Sequence, residues 1–444
     1  MDLSQFLPQF GNVAFTLAAF VVALSVIVAI HEYGHYIVGR WTGIKAEVFS
    51  VGFGPVVFAR TDRHGTKWQV AALPFGGYVK FLGDANAAGV GSDTKGLPEA
   101  GRRHTMMGAP LWARAATVAA GPVANFLLAI LLFTALVMTQ GRPTDPVTVA
   151  ELAPLPPSFA QGLRIGDEIL EVEGRPVTVE TLGEATTGLP PGPAVDYAIR
   201  RDGESLEVQG PYPFPPLAGS VSPDSAAWDA GIRPGDVIQS VDGEPVYAFE
   251  QVRQAVTGSN GAPLRFEVWR DGQVLDVTMN PRRTDLPLAE GGFETRWLVG
   301  VTGDIFFQPQ TETPGLLSAL GSAVEQLWFI ITSSLSGLAH MISGAISTCN
   351  LSGPVGIAET SGAMASQGAT SFLGFLAVLS AAVGLMNLFP IPVLDGGHLV
   401  FHAYEAVTRR PPSDKALRVL MAAGLSVLLT MMLFAVANDL FLCP

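Results

Sequence analysis

From Leu3 to Ile30 the chain runs without a charged side chain, and it then passes directly into His31-Glu32. About 20 helical residues cross the roughly 30 Å hydrocarbon core of a bilayer, so this stretch is long enough to span one. In lipid every backbone polar group must be bonded internally, which leaves an α-helix as the conformation of such a segment. The stretch follows Asp2 rather than a basic start and lacks a small-residue cleavage site. It is therefore expected to be a retained span and not a removable signal.

Three more apolar stretches, Ala115 to Met138, Phe372 to Phe389 and Leu417 to Leu442, bring the expected number of spans to about four. A further apolar stretch, Leu316 to Ser343, contains Glu325 and His340 and is rich in Ser and Gly. It is expected to lie on the membrane surface as an amphipathic helix, with a fifth span as the alternative. With 48% hydrophobic and 15% charged residues, the 444-residue chain is too apolar for an ordinary soluble protein.

Basic residues mark the cytoplasmic side of a membrane protein. Residues 40–114 hold 10 basic and 5 acidic side chains, whereas residues 141–367 hold 12 Arg, no Lys and 28 acidic side chains. The central region and both termini are thus expected outside, with the loops between the first two and the last two spans inside. The acidity of the central region argues against nucleic acid as a partner. Cys349 and Cys443 both fall on the oxidising side, where a disulfide is permitted and two free thiols are the alternative.

His31-Glu32-Tyr33-Gly34-His35 has the form H-E-x-x-H. Residues four apart share a helix face, so two imidazoles can hold one Zn²⁺ while the intervening Glu reaches a metal-bound water. Two histidines and a carboxylate at membrane depth require a partner, and a metal is the simplest one. A catalytic zinc needs a third protein ligand. The end of the third span, Asn387-Leu388-Phe389-Pro390-Ile391-Pro392-Val393-Leu394-Asp395-Gly396-Gly397-His398, offers Asp395, with His398 and His402 as rivals. The first and third spans both run from outside to inside, which brings Asp395 and the H-E-x-x-H cluster to one depth. Taken alone, an acid between Pro and Gly-Gly would read as an ordinary turn.

Between the spans lies an internal repeat. QGLRIGDEILEVEGRPV from Gln161 recurs as AGIRPGDVIQSVDGEPV from Ala230, an offset of 69 residues. Each copy predicts a Gly-Asp turn, a short strand and a second tight turn, followed by later strands at Asp196 to Arg200 and Leu264 to Trp269. Such copies look like PDZ domains, which take an extended peptide at a sheet edge, although a pair of spacer domains has the same appearance. On the inner side, residues 46–60 and 67–82 predict two strands joined by a polar turn at Asp62 to Gly65.

HEYGH, NLFPIPVLDGGH, AGPVAN at Ala120 to Asn125 and LSGPVGI at Leu351 to Ile357 together resemble the site-two protease family. With tandem PDZ-like domains the chain is similar to the family's bacterial regulator of sigma-E protease branch. The match extends over almost the whole chain. The resemblance implies zinc as cofactor, His31, His35 and Asp395 as ligands, and Glu32 as the catalytic acid/base. It implies an intramembrane metalloendopeptidase of the bacterial inner membrane that cuts membrane-anchored regulators, such as anti-sigma factors already trimmed by another protease, and remnant signal peptides. It also implies a membrane-associated β hairpin, with Val51, Gly52, Phe53 and Gly54 pairing with an unwound substrate, and a substrate-contacting segment at Asn387, Pro390 and Pro392.

The fold class expected is therefore a polytopic α-helical membrane protein with about four transmembrane helices, a membrane-associated β hairpin and two extracytoplasmic PDZ-like β/α domains. Its expected divisions are a first span with HEYGH (1–40), a cytoplasmic-side hairpin loop (41–114), a second span (115–140), PDZ-like domains (141–216 and 217–285) and a linker with surface helices (286–371). A third span with LDGGH (372–398), a cytoplasmic loop (399–416) and a fourth span (417–444) complete the chain. Expected partners are transmembrane substrates, the lipid bilayer and peptide ligands of the PDZ-like domains. A metal-free scaffold would be expected to lack Glu32 or a ligand, and a transporter would carry its repeat inside the membrane.

Overall fold

The computed structural model describes residues 7–84, 99–223, 225–288 and 292–442, which divide into two compact units. The helical unit comprises 1–136, 316–339 and 351–444. Its first helix, α1 (Leu7–Trp41), leads into two long antiparallel strands, β1 (Ala46–Thr61) and β2 (Lys67–Phe81), and then into α2 (Leu111–Gln140). Later come α3 (Leu316–Ile342), α4 (Pro354–Ser366), α5 (Ala369–Asn387), α6 (Asp395–Thr408) and α7 (Asp414–Ala437).

Among the described residues five helices are long and apolar enough to cross a membrane. Four of them are the expected spans. The fifth is α3, which by length and composition also meets the requirement of a span. Its stripe of Ala319, Ala323 and Leu327 is buried, and Ala323 and Leu327 cluster with Ala129 and Phe133 of α2 and Ala377 and Ala381 of α5. Other large apolar side chains of these helices face outward, among them Leu131, Leu317 and Leu433 at 63%, 85% and 67% exposure. Outward faces of this kind suit lipid and would be untenable in water.

Close backbone approach joins the helices. A Cβ on Gly34 would stand 2.3 Å from the carbonyl oxygen of Ala120, and one on Gly384 would stand 3.1 Å from that of Pro122. Small residues permit such contacts, which replace the hydrophobic drive that lipid removes. Asp439, just past α7, accepts from the N–H groups of Gly353, Val355 and Gly356 at 2.8–3.1 Å and so caps the start of α4, satisfying donors a helix cannot satisfy itself. The LSGPVGI segment thus supplies a helix start held by a carboxylate from the far end of the chain.

β1 and β2 each bend and fold back, so two strands make a four-segment sheet. Residues 46–51 pair with 77–81 on one side and 67–70 on the other, and 56–61 pair with 67–71. The bend in β1 needs glycine at Gly52, whose φ is +89° and whose Cβ would lie 2.8 Å from the Leu73 carbonyl oxygen. The connecting turn is organised by Asp62, which accepts from the N–H groups of His64 and Thr66, from Trp68 Nε1 and from the Tyr36 hydroxyl. Burial pushes the Asp62 carboxyl up, but these bonds outweigh it and hold it at about 2. Phe53, Val57, Phe58 and Leu73 at the bent end are exposed, an apolar surface on an otherwise polar loop.

The second unit, 137–315 with 340–350, contains the repeat. β4 (Glu168–Val172), β5 (Val195–Arg201) and β6 (Glu204–Gly210) of the first copy, preceded by β3 (Val147–Leu152), recur as β8 (Val237–Val241), β9 (Leu264–Arg270) and β10 (Gln273–Met279), preceded by β7 (Ala218–Val221). Both copies are completed by chain that follows the second. β11 (Val301–Gly303) pairs with β7, and β12 (Phe307–Pro309) pairs with β3. Each copy has its own core, one around Ile169, Tyr197 and Ile199 and the other around Ile238, Phe266 and Val268. Cys349 is disulfide-bonded, and Cys443 lies outside the described residues.

The Gly-Asp turn of the repeat buries an ion pair. Arg201 donates to both oxygens of Asp167 and to the Gly162 carbonyl, and Arg270 does the same to Asp236 and Gly231. The aspartate side chains are only 1% and 2% exposed. Burial would raise the Asp167 carboxyl, but the Arg201 bonds and the Arg164 N–H hold it below its ordinary value. Removing one partner of such a pair costs about 3–5 kcal/mol, because a buried charge is left alone. Arg201→Met is therefore expected to lower the thermal midpoint of the purified protein at pH 7. A depressed carboxyl contributes stability above its unfolded value, about 3.9, and loses it as pH falls through the folded value. The difference between wild type and Arg201→Met in thermal scans should accordingly hold at neutral pH and shrink below about pH 4.

Candidate metal centre

One turn of α1 separates His31 from His35, and both rings point toward α2 and the start of α6. The Nε2 atoms of His31 and His35 are 3.2 Å apart, and Asp395 Oδ2 lies 3.1 Å from the first and 3.4 Å from the second. The side chains are 12%, 13% and 17% exposed. These are the only three His, Cys, Asp or Glu residues among the described ones that gather in this way. Asp395 Oδ2 is buried without a hydrogen-bond donor. Its closeness to both imidazoles is therefore not that of an aligned N–H···O bond. Three potential ligand atoms this close together, one of them a buried carboxylate oxygen with no donor, are what a cation would reconcile. Atoms bound about 2.0–2.1 Å from a tetrahedral Zn²⁺ stand about 3.3 Å apart, which the triangle matches.

Local structure explains each position. Asp395 opens α6 after a tight run, in which Leu394 N–H bonds the Ile391 carbonyl and Ile391 N–H that of Phe389. A Cβ on Gly396 would stand 2.2 Å from the Leu388 carbonyl oxygen, and one on Gly397 2.3 Å from that of Ile391. The chain can fold back so sharply only because the two residues after Asp395 are glycines. Arg114 of α2 ties α6 down with two bonds to Glu405, at 2.6 and 3.0 Å. The rival histidines lie apart from the cluster. His402 Nδ1 bonds the His398 carbonyl at 2.8 Å, and the His398 ring rests against Phe401.

The wall of the site is a face of α2 on which Thr117, Gly121 and Asn125 stand four residues apart. The Thr117 carbonyl accepts from His35 Nδ1 at 2.8 Å, and Asn125 Nδ2 lies 3.3 Å from His31 Nδ1. A Cβ on Gly121 would stand 2.3 Å from His35 Nε2 and 2.8 Å from His31 Cε1. In the sequence AGPVAN served only as part of a family resemblance, whereas this face touches both imidazoles. Their i, i+4, i+8 spacing marks one helix face without indicating which neighbour that face meets.

Glu32 lies beside β2. The Val79 backbone bonds its carboxylate, and a Cβ on Gly77 would reach within 3.1 Å of its Cγ. The outer edge of Gly77–Phe81 is thus next to Glu32. Val51 is paired on both sides, with Gly77 and Val70, and Phe53 faces Leu73, so the backbone around Val51 is interior to the sheet and offers no free edge. Gly54 sits in the exposed bend. Asn387 ends α5 and bonds back to the Val383 carbonyl at 3.0 Å. Pro390 is exposed, and Pro392 packs on Gly424 of α7, 3.0 Å from the position of an added Cβ.

Residues 19–431 match the model of peptidase family M50. A protein of Rhizobium meliloti named as a zinc metalloprotease is 37% identical over 434 residues, covering 97% of each chain. One of the same description from Agrobacterium fabrum is 35% identical, covering 96% of this chain and 95% of that one. The regulator of sigma-E protease of Salmonella typhimurium is 33% identical, covering 96% of this chain and 99% of that one.

The crowding at Gly121 leads to a specific expectation. Gly121→Ala should drive a methyl into both imidazoles and weaken metal retention by about 10–100-fold, the usual scale for disturbing a ligand's support. Gly374→Ala on α5, whose added Cβ would meet nothing nearer than 3.9 Å, should leave retention unchanged. Metal content after graded chelator dialysis checks the pair.

Proposed function

The chain belongs to peptidase family M50 and is a zinc metalloprotease, and we propose that it cuts peptide bonds within or near transmembrane segments, with His31, His35 and Asp395 holding zinc and Glu32 handling the proton. The observation that carries this reading is the triangle of ligand atoms with edges of 3.1–3.4 Å beside a glutamate on the same helix turn. Zinc bound there supplies Lewis acidity, which brings the pKa of water toward neutrality and polarises a carbonyl. Glu32 takes a proton from the attacking water and returns it to the leaving amine as the C–N bond breaks. No covalent acyl-enzyme is needed. The Thr117 carbonyl keeps the His35 ring turned so that Nε2 faces Asp395.

A transmembrane substrate hides its carbonyls in helical hydrogen bonds, and unwinding it in lipid leaves costly unpaired groups. Strand addition to the hairpin sheet would replace those bonds. Interior pairing at Val51 directs this role to the outer edge of Gly77–Phe81, beside Glu32, while Gly52, Phe53 and Gly54 shape the apolar bend that rests in the membrane. Asn387 at the end of α5, with Pro390 and Pro392 in the turn just past it, contributes the segment from which Asp395 is presented.

Four crossings rather than five are supported by the metal cluster itself. α1 and α5 must end on the same face of the membrane for His31 and Asp395 to meet, which leaves no place for an odd crossing between α2 and α5. In this reading α3 enters the bilayer without completing a passage. The two repeat copies are PDZ-like domains on the periplasmic side of the inner membrane, and the active site faces the cytoplasm. The substrates are membrane-anchored regulators, such as an anti-sigma factor pre-cut outside, and remnant signal peptides. That choice takes its support from the name of the Salmonella relative.

Cleavage of a truncated single-span substrate in detergent tests the chemistry. Glu32→Gln should retain zinc while losing about 10²–10⁴-fold in rate, the range for a lost general acid/base. Asp395→Asn should lose both zinc and activity. Cutting by Glu32→Gln at the wild-type rate would overturn the assignment.

A further inference from the structure

Among the polar groups around the metal centre, the side-chain oxygen of Asn125 is unspent. Asn125 is 0% exposed, and its Oδ1 is buried without a partner, while its Nδ2 lies 3.3 Å from His31 Nδ1. The two imidazoles are thus supported differently. His35 Nδ1 faces a backbone carbonyl, which can only accept, so His35 carries its ring proton there and keeps a lone pair at Nε2. His31 Nδ1 faces an amide nitrogen, which can only donate. In that pairing the ring proton of His31 sits on Nε2, the atom directed at Asp395, and blocks the lone pair a metal requires.

We infer that Asn125 is a positioning residue which turns its amide to accept the His31 Nδ1–H, so that His31 presents its Nε2 lone pair to the zinc. A half-turn about the Cβ–Cγ bond exchanges oxygen and nitrogen in nearly the same volume, and amide orientation is set by the surrounding hydrogen bonds. The backbone of Asn125 stays fixed during that turn. Its carbonyl accepts from Ser380 Oγ at 2.9 Å, and Gly384 of α5 packs against its Cβ. In this arrangement both histidines donate Nδ1–H to oxygen atoms eight residues apart on one helix, the Thr117 carbonyl and Asn125 Oδ1. Ligating histidines are commonly held in this way, and loss of such a partner weakens metal affinity by about 10–100-fold.

The inference rests on the zinc reading above, and the test separates the two. Full-length wild type, Asn125→Asp and Asn125→Leu are purified in detergent, and zinc affinity is measured by competition with a chromophoric chelator. Cobalt(II) absorption spectra of the loaded proteins and thermal midpoints of the metal-free ones accompany the titrations. Aspartate keeps an accepting oxygen and leucine keeps only the volume. The expected result is a 10–100-fold weaker affinity and an altered cobalt spectrum for Asn125→Leu, with Asn125→Asp within about threefold of wild type. Equal affinity in wild type and Asn125→Leu overturns the positioning role, as does an Asn125→Asp protein as weak as Asn125→Leu. Should Asn125→Leu fail to fold, Asn125→Asp against Asn125→Ser decides on the same readout. If wild type itself binds no zinc while folded, the metal reading fails and the inference falls with it.

Discussion

Bringing two imidazoles and a carboxylate together inside a membrane helix bundle is unfavourable unless something binds them, and much of the helical unit serves to impose that encounter. His31 and His35 need only one helix turn to meet. Asp395 comes from more than 350 residues later and reaches them because α5 ends in a tight run, because Gly396 and Gly397 let the chain reverse, and because Arg114 holds α6 against α2. Between the two sources stands α2, whose Gly121 leaves room for both rings. A methyl group at any of these glycines would oppose carbonyl oxygens or imidazole atoms at 2.2–2.3 Å, closer than side chains tolerate. The site is defined as much by absent volume as by ligands.

The hairpin sheet extends the same economy. Two strands bent at glycine make four paired segments, so the backbone beside Glu32 is paired within the sheet on one side and faces Glu32 on the other. The Asp62 turn at its far end collects donors from α1, the turn and β2, and thereby joins the sheet to the helix that carries the histidines. The exposed apolar bend suits a loop resting against lipid.

In the second unit the repeat is a physical as well as a sequence repeat. The aspartate of each Gly-Asp turn is buried and is held by the arginine 34 residues later, with the same three bonds in both copies. Strand completion is not local, however. β11 and β12 follow both copies and return to close one edge of each, which makes the chain beyond the second copy part of both domains. A boundary drawn at 285 therefore cuts through the second copy.

Features that depend on short sequence distance were legible in the chain alone. Long apolar runs identified the long helices, because lipid permits no other backbone there. The i, i+4 spacing of His31 and His35 identified a helix face carrying both imidazoles, the face that meets Asp395, and the 69-residue offset identified the repeat. Asp395 was also within reach, since span direction brings two segment ends to one depth. Features that depend on which side a helix presents were decided only in three dimensions. Nothing local showed that Thr117, Gly121 and Asn125 face the histidines rather than lipid, that Val51 is enclosed on both sides while Gly77–Phe81 lies beside Glu32, or that Asp439 caps α4. The reason is physical: periodicity determines a face, but a neighbour is chosen by packing among elements distant in sequence, and in a membrane apolar side chains look the same on both sides.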